Sequence, residues 1–98
     1  MEVIKNKENN QLNLKIIGRL DANTAPELEE EINNECESIT LLVLDLEELM
    51  YISSAGLRTI LASEKMMRQK GELQIKNVNS FVMEIFTATG FKDKLNIQ

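Results

Sequence analysis

The sequence predicts an α/β fold: a mixed β-sheet of four to five strands with helices mainly on one face. Two observations carry this. Short runs with two-residue apolar alternation interleave with longer segments of helical periodicity, and a run at residues 39–46 is apolar almost throughout, as a central strand covered on both faces should be. The chain has 98 residues, 43 % of them hydrophobic, so one core and a single domain spanning 1–98 are expected.

Leu12 to Ile17 places Leu12, Leu14 and Ile16 on one side and Asn13 and Lys15 on the other, the period of a half-buried strand. Val3 to Lys5 is its expected antiparallel partner across a polar turn. A helix is then predicted from Thr24, which with Glu27 spells a capping box, with Pro26 in the first turn. Leu28, Ile32 and Cys36 form its apolar stripe, so Cys36 is expected to be a buried thiol. Glu29, Glu30 and Glu31 lie near its positive end and read as a solvated face.

Ile39 to Leu46 is the central strand. A loop, Glu47 to Ile52, is expected next, then a helix capped by Ser53 or Ser54 and closed by Gly71, with Leu57, Ile60, Leu61 and Met67 on its buried side. Leu73 and Ile75 alternate with Gln74 and Lys76 in a further strand. Asn79 or Ser80 caps a last helix carrying Val82, Ile85 and Phe86 and ending at Gly90, with Phe91 against its end. Leu95 and Ile97 are left for a short strand or turn. If the strands lie in sequential order, right-handed crossovers put the helices on one face, and Leu41 and Val43 then need cover on the other.

Composition narrows the chemistry. Eleven basic and sixteen acidic side chains give a net charge of -5, which disfavours nucleic acid and anionic lipid as partners. No stretch approaches the roughly 20 apolar residues of a membrane span, and the start lacks the apolar run of a signal peptide, so a cytoplasmic protein is expected. There is no histidine and a single cysteine, which removes the usual general base, a thiolate metal cluster and an internal disulfide. Only Asp21, Asp45, Glu47 and Glu48 remain as candidate bases, and Asp45, at a strand end, reads as a turn residue. No catalytic residue, metal site or cofactor is expected.

The informative stretch runs from Asp45 to Leu61. A buried strand ends, the chain turns, and Ser53 and Ser54 open a helix whose first turn contains the small residues Ala55 and Gly56. A helix start gathers unpaired N–H groups and about half a positive charge, and the small residues suggest room for another molecule to approach. A hydroxyl there is both a cap and a phosphate acceptor.

The segment D-L-E-E-L-M-Y-I-S-S-A-G-L, with G-R-L-D-A-N-T-A-P-E-L upstream and A-T-G-F-K-D-K-L downstream, resembles the STAS domain of bacterial anti-sigma-factor antagonists over essentially the whole chain. The resemblance implies a STAS-type sheet and a non-enzymatic binding module. It implies an anti-sigma factor that is itself a serine kinase as partner, release of a sigma factor when the antagonist is unphosphorylated, and a separate serine phosphatase that resets the switch. The phosphorylated serine of the family corresponds to Ser54, with Ser53 the second candidate. Asp21, Asn23, Thr24, Tyr51, Ser53, Ser54, Ala55, Gly56, Leu57 and Arg58 correspond to its partner-binding surface. Ser53 stands where the family usually has an acidic residue, a departure that removes a negative charge beside Ser54. An alternative role for the same fold is a scaffold or accessory subunit of a signalling or transporter complex, without phosphorylation.

Overall fold

A computed structural model describes residues 1–98. In chain order the elements are β1 (Glu2–Glu8), β2 (Gln11–Leu20), α1 (Ala25–Glu35), β3 (Leu41–Asp45), β4 (Leu49–Ile52), α2 (Ser54–Arg68), β5 (Glu72–Lys76) and α3 (Ser80–Thr89). Short 3₁₀ turns follow α1 and α3.

The five strands form one mixed sheet. Strand β1 runs antiparallel to β2, and β3 and β5 continue in parallel, giving the order β1-β2-β3-β5. The hairpin is tighter than the sequence suggests: β1 extends to Glu8, and Asn9 turns the chain at a φ of 55°, a left-handed conformation that asparagine tolerates better than most residues. Leu12, Leu42 and Leu73 lie side by side across the sheet, as do Leu14, Leu44 and Ile75. These two rows join Leu28 and Ile32 of α1, Leu57, Ile60 and Met67 of α2, and Val82 and Phe86 of α3 in one core cluster of 21 residues.

The other face is polar. Val43 nevertheless is only 4 % exposed. Its neighbours across the sheet are Asn13 and Gln74, and Asn13 and the long side chains of Lys15 and Lys76 share its concavity. Amphipathic stems covering an apolar spot supply the shelter, and Leu41 stays half-buried. Ile97 instead bridges Ile75, at the edge of the sheet.

Four expectations need correction. The segment Glu47 to Ile52 is not all loop: Leu49–Ile52 is β4, which pairs in parallel with the far half of β2, beyond the end of β3. Its register shifts between Gly18 and Arg19, so Met50 has no partner and is 73 % exposed. Such a bulge destroys the two-residue alternation by which strands are read. Gly18 sits in the bulge at a φ of 99°, where a side chain is strained. Secondly, the capping box does not form: Thr24 has near-helical angles and its hydroxyl makes no cap bond. Thirdly, Cys36 falls in the 3₁₀ turn after α1, half-buried, with its thiol directed at the Asn33 carbonyl. Lastly, α2 stops at Arg68 and is capped by Gln69. Gly71 serves packing instead, since a Cβ there would lie 1.8 Å from the Thr40 carbonyl oxygen.

Candidate functional site

Strand β4 creates the site by aligning two loops. Leu20, the last residue of β2, is the partner of Ile52, the last residue of β4, and the Ser53 N–H donates to the Leu20 carbonyl at 2.9 Å. The residues that follow, Asp21 on one side and Ser53 on the other, therefore leave the sheet together. Two parallel strands ending in register place whatever comes next side by side.

The first loop is locked by its own polar groups. The Asp21 carboxylate accepts from the backbone N–H groups of Asn23 at 3.0 Å and Thr24 at 3.2 Å. The Thr24 hydroxyl accepts from the Asp21 N–H at 2.9 Å and donates to the Arg19 carbonyl at 2.8 Å. This explains the missing capping box, because the hydroxyl is committed to the loop rather than to the helix. Partial desolvation pushes the Asp21 carboxyl upward, but the Asn23 and Thr24 N–H groups, the Thr24 hydroxyl and the Arg19 charge outweigh it and hold the acid below its ordinary value. Arg19 reaches Asp21 at 3.8 Å while its guanidinium lies over the Tyr51 ring, 4.2 Å from the centroid, a cation–π contact across the β2–β4 pair.

The second loop opens α2. Ser53, in extended conformation, is the N-cap, and its hydroxyl accepts from the Gly56 N–H at 3.4 Å. Ser54 is the first helical residue. It is exposed and takes no part in the cap. The two serines thus divide the work: one hydroxyl faces the helix, the other faces solvent.

Gly56 is buried, and its smallness serves internal packing rather than the approach of another molecule. A Cβ there would lie 2.8 Å from both Leu20 Cγ and the Leu20 carbonyl oxygen, and 2.9 Å from Ile52 Cγ1. The helix start can therefore settle onto the ends of β2 and β4 only with glycine at this place. Leu57 likewise points into the core at 6 % exposure. Of the residues assigned to the surface from sequence, Asp21, Asn23, Thr24, Tyr51, Ser53, Ser54, Ala55 and Arg58 gather at one end of the molecule with some exposure, while Gly56 and Leu57 support them from inside.

Beyond the serines, Ala22, Ala25, Pro26 and Glu29 face Ala55, Arg58, Thr59 and Ala62 across a shallow groove of about 470 Å³. It continues between α1 and α2 to Asn33 and Met66. Arg19 and Thr59 belong to this end of the molecule and are not legible as site residues in the sequence; recognising the β2–β4 pairing is what brings Arg19 beside Tyr51. No group of three or more acidic, cysteine or histidine side chains is arranged to hold a metal ion, and no helix is long and apolar enough to cross a membrane.

A mixed sheet, helices packed against it, and an exposed serine at the helix start beside a locked aspartate loop define a small α/β module built around a surface. The sequence model of the STAS domain matches residues 2–98, and the chain belongs to that family. It is 30 % identical over 95 residues to the anti-sigma-B factor antagonist of Bacillus subtilis, an alignment covering 96 % of this chain and 86 % of the relative. The fold is shared with an anti-sigma factor antagonist from Mycobacterium paratuberculosis, at a TM-score of 0.87 and 20 % identity over 98 % of this chain and 83 % of the other. It is also shared with the Bacillus cell fate determinant SpoIIAA in its phosphorylated form, at a TM-score of 0.78 and 14 % identity over 99 % and 91 % of the two chains.

Proposed function

We propose that this protein is an anti-sigma-factor antagonist. In its unphosphorylated state it binds an anti-sigma factor that is a serine kinase, freeing a sigma factor; phosphorylation of Ser54 ends the interaction, and a serine phosphatase restores it. It acts by binding and not as an enzyme, in the cytoplasm where its partner works. The names of its relatives support the role, and the observation that carries the switch is the division of labour between the two serines. The Ser53 hydroxyl is engaged by the Gly56 N–H, whereas Ser54 is exposed at the head of α2.

The physics of the switch is local. A phosphate adds about -1.5 to -2 charge, which a helix N-terminus accepts and even favours by roughly 0.3 to 1 kcal/mol. At a closed interface the same group must shed water, at a cost of several kcal/mol unless the partner supplies matching cations. Binding is therefore lost while the fold survives.

The test is mass spectrometry of the intact protein and its peptides after incubation with ATP and the anti-sigma kinase encoded nearest to it. One phosphate is expected, absent in Ser54→Ala and retained in Ser53→Ala. Binding without any phosphate transfer would instead support a scaffold role for the same surface.

A further inference from the structure

We infer that Asn79, at the opposite end of the chain's last crossover, is a positioning residue for the serine site. Its side-chain oxygen accepts from the Val82 N–H at 3.0 Å, an ordinary helix cap for α3. Its amide nitrogen does something a cap does not require: it donates to the Leu49 carbonyl at 2.8 Å, and also lies 3.3 Å from the Leu46 and 3.4 Å from the Glu47 carbonyl oxygens. One half-buried side chain thus closes over the turn from which β4 departs.

That turn is where the path to the site begins. Strand β4 is four residues long and is aligned with β2 at only Leu49, Tyr51 and Ile52. Its start is held by the Leu49 N–H on the Leu46 carbonyl at 3.2 Å and by the Gly18 N–H on the Glu48 carbonyl at 3.0 Å. The Asp45 carboxylate holds the Glu47 N–H at 3.0 Å from below. Asn79 is the tie that reaches this turn from another layer of the fold. A strand this short has few ladder bonds of its own, and β4 sets where Ser53 and Ser54 stand relative to Asp21. Through that chain of contacts the amide of Asn79 fixes the geometry that a partner reads.

Two substitutions separate this role from capping. Asp and Ser are both good N-caps, and neither presents the amide donors, so Asn79→Asp and Asn79→Ser keep α3 started while cutting the tie. Amide hydrogen exchange on the free protein is expected to speed up about tenfold or more at Gly18, Leu49 and Ser53 in both variants, with Val82 and Met83 changed by no more than about twofold. Unchanged exchange at the first three amides, or equal loosening of both groups, would reduce Asn79 to a cap and overturn the inference; the serine variant decides the matter if the aspartate variant does not fold. The functional consequence rests on the antagonist reading: kcat/KM for phosphorylation of Ser54 should fall about tenfold or more in Asn79→Ser, chiefly through KM. A wild-type protein that is never phosphorylated would defeat that reading and leave the exchange result to decide the role of Asn79.

Discussion

Helices α2 and α3 begin alike and end up with different tasks. In each, a side-chain oxygen, from Ser53 or Asn79, accepts the N–H three residues on, and in each the first helical residue is an exposed serine, Ser54 or Ser80. A hydroxyl at a helix start is therefore not a site by itself. What differs is the company. Ser54 stands beside the Asp21 loop at the end of β2, one helical turn before Arg58, which makes no salt bridge of its own. Ser80 is followed by the half-exposed ring of Phe81 and stands one turn before Glu84. Residues four apart on a helix are neighbours, so a phosphate would meet a cation at the first start and an anion at the second.

The largest expected effect follows from that contrast. Phosphorylation of Ser54 should lower affinity for the anti-sigma factor by about a hundredfold or more, about 2.8 kcal/mol, with the melting temperature nearly unchanged. Ser80→Asp should leave the affinity within about twofold. Calorimetric titration of the two forms checks this; equal losses from the two helix starts would erase the distinction.

Next in size is Gly56→Ala. The added methyl meets the Leu20 backbone and the Ile52 side chain at under 3 Å, so α2 must lift from the sheet, at about 1 to 3 kcal/mol. Gly90, which ends α3 with a φ of 78° and open space for 4 Å around the place a Cβ would take, offers the comparison. There Gly90→Ala suffers only the left-handed conformation, about 1 to 2 kcal/mol, and should leave partner binding intact. Denaturant midpoints of the two variants give the stabilities, and only Gly56→Ala should weaken binding as well.

The same two helix starts show what is legible in the sequence. Asn79 and the pair Ser53–Ser54 can be read as caps because capping is local, decided within four residues. Strands β2 and β5 can be read because their inward residues alternate with polar ones, and β3 because its run is apolar almost throughout. Strand β4 cannot: the bulge at Met50 makes Leu49 and Ile52 the inward pair, a three-residue spacing foreign to a strand and more like that of a helix. The capping role expected of Thr24 fails for the complementary reason. Its hydroxyl is taken by the Arg19 carbonyl and the Asp21 N–H, partners upstream in the loop that leaves β2, which the Thr-x-x-Glu spacing does not reveal. The inward direction of Gly56 is hidden in the same way, since a glycine needed for close packing and one needed for access look identical in a sequence.

The smallest effect expected is a pH dependence that separates the Asp21 loop from the rest of the molecule. The folded protein holds the Asp21 carboxyl below its ordinary value of 3.8, so near and below that pH the unfolded chain binds more protons than the folded one. The stability contributed by the carboxylate is therefore fully present above 3.8 and is lost as the pH falls through the folded value. Asp21→Asn keeps an oxygen to accept from the Asn23 and Thr24 N–H groups but cannot titrate. Its stability deficit relative to wild type, followed by urea midpoints, should be constant from about pH 7 to pH 5 and shrink towards about pH 3. Glu35 is also held low, first by its hydrogen bond from Lys5, then by the Lys5 charge and by Lys7, but it is present in both proteins and cancels in the difference. A deficit that stays the same across the whole range would mean that the Asp21 carboxylate is not bonded in solution as it is here, and the loop beside Ser54 would then owe its shape to Thr24 alone.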